Sequence, residues 1–326
     1  MNKRMFGKTQ QMVSEIGLGT WQLGTKWGEA FNPKEAQAIL ETAYENGINF
    51  IDTADIYMDG ASEKAIGQFI KGKQDKFYIT TKCGRGLNPH IAQMYTPEAM
   101  EAFIDGSLKR LGVERLDMVL LHCPPSSVYK DDVLFTGMEK IKQKGKIANY
   151  GVSIEKVSEG IEAMKYPIAA IEVIFNMFRL KPIEELFPLA KENHIGIIAR
   201  VPLASGLLTG KYTTNTVFSE KDHRHYNRNG EAFDKGETFS GVDYNKGLQA
   251  VEAVKKVFGT DDIIPYAIKW ILMHDAVSVV IPGASQTSQV ISNLRASQIP
   301  NLSEQQMNAV TEIYNQYIKD TVHNQW

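Results

Sequence analysis

The sequence predicts an α/β protein: a (β/α)8 TIM barrel with an N-terminal capping hairpin, a long loop after the seventh strand and a C-terminal helix. Three observations lead there. Eight short apolar runs of strand character alternate with helical stretches, the pattern of a closed parallel barrel. The 326 residues exceed the roughly 250 of a plain barrel and leave room for insertions, so residues 1–326 read as one domain. The rival fold, an open doubly wound sheet binding a dinucleotide, would carry G-x-G-x-x-G after its first strand. The chain has neither that fingerprint nor a G-x-x-x-x-G-K-[ST] phosphate loop.

Arg4 to Glu15, of mixed polarity around Gly7, reads as the capping hairpin, and Ile16 to Trp21 as the first barrel strand. Asn32-Pro33 opens a helix, with Asn as cap and Pro at the first helical position, and Gly47 ends it. Ala36, Ile39, Leu40 and Ala43 give that helix one apolar stripe. The second strand spans Asn49 to Thr53 and the next helix starts at Ser62; Phe77 to Lys82 is the third strand. Thr96-Pro97 opens the third helix, in which Met100, Phe103, Ile104, Leu108 and Leu111 recur at helical spacing. Leu116 to His122 is the fourth strand, followed by a helix over Asp132 to Lys144. Ile147 to Ser153 is the fifth, with a helix to Lys165. Ala169 to Phe175 is the sixth, and its helix, Ile183 to Asn193, should kink at Pro188.

Ile195 to Val201 is the seventh strand. More than forty residues rich in Gly, Asn, Asp and charge then separate it from a helix over Lys246 to Phe258, and a loop that long in a compact domain is functional or mobile. It holds His223, Arg224, His225, Tyr226 and Arg228, a basic cluster that reads first as solvated surface and second as a hint of a polar or anionic substrate. Val277 to Ile281 is the eighth strand, with a short helix over Thr287 to Leu294, and the capping box Ser303-x-x-Gln306 opens a C-terminal helix.

Composition narrows the function classes. A net charge of −2 and a pI of about 6.4 give no electrostatic footprint for nucleic acid or an anionic membrane. No window approaches the roughly 20 apolar residues of a bilayer span, and Met1 to Gly7 lacks the apolar stretch of a secretory signal. Two cysteines, Cys83 and Cys123, cannot make a disulfide scaffold. The expectation is a cytoplasmic protein with free thiols. Both cysteines follow a polar strand-end residue, so strand alternation should turn them away from the barrel mouth.

Chemistry concentrates at three successive strand ends, where barrels of this kind place their sites. In G-I-N-F-I-D-T-A-D-I-Y, Asp52 leaves the second strand and Tyr57 follows five residues on. I-T-T-K delivers Lys82 and M-V-L-L-H delivers His122. Singly, each reads as ordinary structure: an ion pair, a packed ring, a capped carbonyl. Together they form a proton-transfer set.

These segments resemble the aldo-keto reductases. The likeness runs, in order, through Gly47 to Tyr57, S-E-K-A-I-G (Ser62 to Gly67), T-K-C-G around Lys82, L-L-H-C-P-P around His122, Y-G-V-S (Tyr150 to Ser153), P-L-A-S-G-L-L-T-G-K-Y (Pro202 to Tyr212) and I-P-G-A-S (Ile281 to Ser285). The resemblance implies an NAD(P)H-dependent oxidoreductase that reduces an aldehyde, ketone or sugar carbonyl to the alcohol, reversibly, with Asp52, Tyr57, Lys82 and His122 as catalytic tetrad. Tyr57 would be the general acid, Lys82 and Asp52 would tune it, and His122 would orient the carbonyl. An ammonium beside the phenol should lower its pKa from near 10 toward the working range.

For the cofactor, NADPH or else NADH, the resemblance implies Ser153 and Glu172 at the nicotinamide amide and Arg200 against the ring. Gly206 and Lys211 would lie over the pyrophosphate, and Gly283, Ser285, Thr287, Gln289 and Asn293 at the adenosine phosphate. Five positions depart from the family pattern. Ile154 stands where Asn is frequent, Glu172 replaces Gln, and Arg200 replaces a stacking aromatic and should pair with Glu172. No basic residue occupies Gln286 or Gln289 to grip a 2′-phosphate, leaving Arg295 or the long loop to compensate. Trp21, Trp27, Met58, Tyr57 and His122 are candidates for the substrate mouth, and the partner is a small carbonyl or alcohol. A second reading is a nicotinamide-binding regulatory subunit with little turnover. A third, a metal-dependent hydrolase on His223-x-His225, lacks an acidic cluster, so no metal ligand is assigned.

Overall fold

The computed structural model describes residues 1–26 and 28–326, and Trp27 lies outside the described residues. Its strands are β1 (Lys3–Met5), β2 (Met12–Ser14), β3 (Leu18–Gly19), β4 (Phe50–Asp52), β5 (Tyr78–Cys83), β6 (Leu116–His122), β7 (Ile147–Ile154), β8 (Ala170–Ile174), β9 (Gly196–Arg200) and β10 (Val277–Val280). β1 and β2 pair antiparallel, as the N-terminal hairpin expected from the sequence. β3 to β10 form one sheet in chain order, with every neighbouring pair parallel. The ends of that sheet meet. Gly17 N donates to Val280 O at 2.8 Å, Val280 N to Glu15 O at 3.0 Å and Gly19 N to Pro282 O at 3.1 Å, which closes the barrel.

The helices are α1 (Pro33–Glu45), α2 (Ala61–Ile70), α3 (Pro97–Leu111), α4 (Asp132–Gln143), α5 (Val157–Ala163), α6 (Leu186–Glu192), α7 (His223–Tyr226), α8 (Tyr244–Phe258), α9 (Ile264–Leu272), α10 (Thr287–Leu294), α11 (Glu304–Tyr317) and α12 (Lys319–Val322). Their starts follow the capping chemistry. Asn32 Oδ1 accepts from Lys34 N and Glu35 N, and Ser303 with Gln306 closes a reciprocal capping box. One reading is corrected. Pro188 does not kink a helix: it is the third residue of α6, within the first turn, whose N–H groups have no intrahelical acceptor to lose. The helix α9, I-P-Y-A-I-K-W-I-L, was not assigned from the sequence, and it is buried almost all round.

The core has two layers. The outer one packs the helices' apolar stripes on the sheet; the inner one fills the barrel with Phe6, Phe50, Tyr78, Met118, Leu120, Ala170, Ile198 and Val279. Phe6 plugs the lower end, its ring 5.3 Å from those of both Phe50 and Tyr78. Side chains alternate across a strand, so the residue two positions beyond each inner apolar residue also faces inward, one level higher. Phe50 is followed in this way by Asp52, Leu120 by His122, Ala170 by Glu172 and Ile198 by Arg200; Tyr78 leads through Thr80 to Lys82. The barrel is thus apolar below and polar at the C-terminal ends of its strands.

Candidate active site

Lys82 is the centre of the polar level and is fully buried. Its ammonium donates to Asp52 Oδ1 at 2.7 Å and Oδ2 at 2.6 Å, to Thr53 O at 3.0 Å and to the Tyr57 hydroxyl at 3.3 Å. Glu172 Oε2 lies 3.5 Å away. Burial alone would depress the ammonium, but Asp52, Glu172 and Tyr57 outweigh it and hold its pKa above the ordinary lysine value. Asp52 is pushed well above the carboxylate range by burial and by Glu172, a pull that Lys82 only partly offsets. One cation cannot balance two enclosed carboxylates.

Tyr57 reaches the site on a tight loop. Its N–H bonds Ala54 O at 3.2 Å, and Met58, Asp59 and Gly60 all have positive φ. Two non-glycine residues in succession there mark backbone strain held by its surroundings. A hydroxyl chain supplies that hold: Thr53 Oγ1 lies 3.0 Å from Ser62 Oγ, which donates to Thr20 Oγ1 at 2.9 Å, and Thr20 Oγ1 donates to Asp52 O at 2.7 Å. The next residue, Glu63, is buried and takes Thr81 Oγ1 and Arg110 Nε, each at 2.5 Å. The S-E-K-A-I-G segment therefore braces the strands that carry Asp52 and Lys82.

The expected depression of Tyr57 is reversed. Its hydroxyl is raised above the ordinary phenol value: burial dominates, Lys82 pulls down, and Asp52 and Glu172 push up. His122 stands with its ring edge to Tyr57, centroids 6.1 Å apart. Burial first, then Arg85 and Lys82, lowers it well below the usual imidazole value, so it is neutral at pH 7, and its buried Nδ1 has no hydrogen-bond partner among the described residues.

Ser153 and Glu172 lie side by side in the β7–β8 register, with Ser153 Oγ 3.4 Å from Glu172 Oε1. Glu172 Oε2 is buried without a hydrogen bond among the described residues. Arg200 approaches Glu172 only to 3.9 Å; its near partners are Glu155 Oε1 at 3.0 Å and Ile154 O at 3.2 Å. Cys83 is buried away from the mouth as expected, but Cys123 is not. Its φ of 46° breaks the strand alternation after His122, and its Sγ sits 3.4 Å from Ser153 Oγ and 3.6 Å from Arg200 Nη2.

A layer above these groups escaped the sequence reading. Arg85, three residues past Lys82, bonds Glu237 Oε1 through Nη1 at 2.9 Å, and Glu237 comes from the long loop. Glu237 also faces Arg200 at 3.9 Å. Against the upward push of burial, Arg85 and Arg200 draw Glu237 down to about 2, whereas burial, with Glu237 and Asp234 against Arg200, raises Glu155 to about 8. Nothing local in the sequence signals these pairings, because Glu237 is 152 positions from Arg85.

The remaining expected residues lie around the mouth. Trp21 stacks on Tyr57 at 6.4 Å and meets His223 at 5.2 Å, while Met58 is half-buried on the strained turn. His223 is buried and His225 exposed, so the pair faces different surroundings and does not converge. Gly206 has φ of 98° and abuts the Tyr212 hydroxyl, leaving no space for a side chain, and Lys211 is exposed. At the corner between β10 and α10, Gly283 is exposed, Thr287 begins the helix, Asn293 Nδ2 donates to Gly283 O at 3.4 Å, and Gln289 Oε1 accepts from Ser285 N at 2.7 Å. Arg295 is paired with Asp262.

Comparison with known proteins places this geometry among relatives. The model of the Aldo/keto reductase family matches residues 15–315. The chain is 30% identical over 320 residues to an uncharacterized oxidoreductase, YqkF, of Bacillus subtilis, covering 95% of each. It is 28% identical over 299 residues to the aldo-keto reductase yakc of Schizosaccharomyces pombe, whose name specifies NADP(+), covering 88% of this chain and 84% of that one. Its structure is similar to the holo form of aldo-keto reductase AKR11C1 from Bacillus halodurans, with a TM-score of 0.78 and 26% identity, over 100% of this chain and 99% of the other.

Proposed function

This chain belongs to the aldo/keto reductase family, and from that premise we propose that it reduces an aldehyde, ketone or sugar carbonyl to the alcohol, reversibly, with NADPH or NADH. The observation that carries the reading is the Lys82 ammonium, shared between both Asp52 oxygens and the Tyr57 hydroxyl.

The residues at hand suit a nicotinamide cofactor. Ser153 Oγ and the unsatisfied Glu172 Oε2 match the acceptor and donors of an amide, and Arg200 offers a planar guanidinium to a ring. Gly206 and Lys211 would lie along the pyrophosphate. Gly283, Ser285, Thr287, Gln289 and Asn293 would hold the adenosine phosphate at the start of α10, whose N-cap, Gln286, makes no side-chain cap. With Gln289 engaged by Ser285 and Arg295 by Asp262, a 2′-phosphate would find little charge, which keeps NADH in the reading beside NADPH.

When bound, the cofactor supplies the hydride to the carbonyl carbon. The protein's part is the proton. Neutral His122 donates a hydrogen bond to the carbonyl oxygen and fixes its position. As negative charge develops on that oxygen, the Tyr57 O–H bond breaks toward it and the alcohol forms. The raised pKa of Tyr57 keeps its proton in place at neutral pH, and the transfer remains downhill, because an alkoxide is about as basic as hydroxide (water, pKa about 15.7). Lys82 stabilises the phenolate left behind, Asp52 keeps Lys82 charged and aimed, and the phenolate regains a proton from solvent.

The test is a panel of aldehydes, ketones and sugars with oxidation of NADPH and NADH as readout. Turnover of at least one carbonyl class supports the proposal. Tight cofactor binding without turnover across the panel would return the reading to a regulatory subunit.

A further inference from the structure

Among the described residues, four guanidiniums lie around the mouth, and they differ in how many of their N–H groups are taken up. Arg200 Nη2 bonds Ile154 O and faces Glu155, Nη1 approaches Glu237 only to 3.9 Å, and the buried Nε lies 3.9 Å from Glu172 without a hydrogen bond among the described residues. Arg224 is held by both Asp222 oxygens and the Tyr212 hydroxyl. Arg228 bonds Arg224 O and lies over Phe239 and Tyr244. Arg224 and Arg228 thus help tie the long loop together.

Arg85 differs. Of its five N–H donors, Nη1 serves Glu237. Among the described residues Nε and Nη2 have no acceptor, and neither is among the buried polar atoms without a partner. Its side chain is 19% exposed, more than its neighbours Arg200 at 11%, Glu155 at 12% and Glu237 at 10%. Its place is that of a substrate contact. The guanidinium lies 5.7 Å from the Phe233 ring, Phe233 sets its edge against Trp21 at 6.2 Å, and Trp21 stacks on Tyr57. A carboxylate that already holds one arm of an arginine aims the remaining fork, and that fork matches a second carboxylate.

We propose that Arg85, oriented by Glu237, binds a carboxylate on the substrate, so that the preferred substrates are short aldehydes or ketones carrying a carboxylate within a few bonds of the carbonyl. The proposal rests on the carbonyl-reductase reading above. Glu237 lies between the guanidiniums of Arg85 and Arg200, at 2.9 Å from the first and 3.9 Å from the second, and so sets the position of Arg85.

The experiment compares kcat/KM for 4-oxobutanoate and for 4-methylpentanal, which replaces the carboxylate by an isopropyl group of the same heavy-atom skeleton. In the parent protein the ratio should favour 4-oxobutanoate by at least ~10-fold, the scale of one charged hydrogen-bonding pair. Arg85→Gln should lower that ratio by at least ~10-fold and Arg85→Lys by less, since a point charge replaces the fork. Should Arg85→Gln fail to fold, the parent ratio still decides, and it should fall as salt rises to about 0.5 M. A parent ratio at or below one, a ratio insensitive to salt, or a folded Arg85→Gln that keeps the parent ratio overturns the proposal. Turnover of 4-methylpentanal alone sinks this inference and leaves the reductase reading standing. No turnover of any carbonyl sinks both.

Discussion

Replacing Lys82 with Met removes the cation held between Asp52 and Glu172 while keeping an unbranched side chain of similar length. The ammonium sits 2.6 to 2.7 Å from both Asp52 oxygens and 3.5 Å from Glu172, and all three side chains are at most 3% exposed. Breaking a buried ion pair by removing one partner costs about 3–5 kcal/mol, or roughly 10² to 4 × 10³ in the unfolding equilibrium at 1.4 kcal/mol per decade. The pH dependence carries the diagnosis. Asp52 is already raised by burial and Glu172, and loss of Lys82 raises it further. A carboxyl whose folded pKa exceeds its unfolded value of about 3.9 binds more protons folded, so stability falls as pH rises from the unfolded value through the folded one. Urea unfolding of Lys82→Met should therefore show the full deficit at pH 8 and a smaller one near pH 5, and adding Asp52→Asn should restore more than half of it. A variant within about 1 kcal/mol of the parent at pH 8, or a deficit that does not change with pH, would refute this account of the site.

Two further outcomes follow from other positions. Burial and the neighbouring Glu237 raise Glu155 to about 8, so folding loses stability between its unfolded pKa, near 4.3, and pH 8. Glu155→Gln should remove that slope and unfold later than the parent at pH 8 but not at pH 5; parallel pH profiles would count against the assignment. At Gly151 a Cβ would collide with Ala170 O across the β7–β8 pair, so Gly151→Ala should cost about 3 kcal/mol or more in urea unfolding, and an unchanged midpoint would show that the two strands can part.

Much of this architecture is written in local chemistry. Leu116 to His122 and Thr287 to Leu294 form a strand and a helix at the expected limits, because hydrophobic period and caps are short-range signals. The juxtaposition of Asp52, Tyr57, Lys82 and His122 was legible for a related reason. Parallel neighbours in register bring successive strand ends together, whatever the helices between them do. What was hidden depends on distance or on backbone handedness. Glu237 meets Arg85 only because the long loop crosses the mouth. Cys123 turns toward Ser153 because one left-handed residue cancels the alternation that would point it away. The sign of the Tyr57 shift depends on how deeply its hydroxyl is enclosed, and spacing along the chain does not record enclosure.

The central claim is that the Tyr57 hydroxyl delivers the proton while Lys82 and Asp52 support it. Single-turnover reduction of an aldehyde by Tyr57→Phe, with the cofactor dissociation constant measured in parallel, tests this most directly. The account predicts a rate lower by about 10²- to 10⁴-fold, the usual worth of a positioned general acid, with cofactor affinity near that of the parent. A Tyr57→Phe protein that reduces the aldehyde at the parent rate contradicts it.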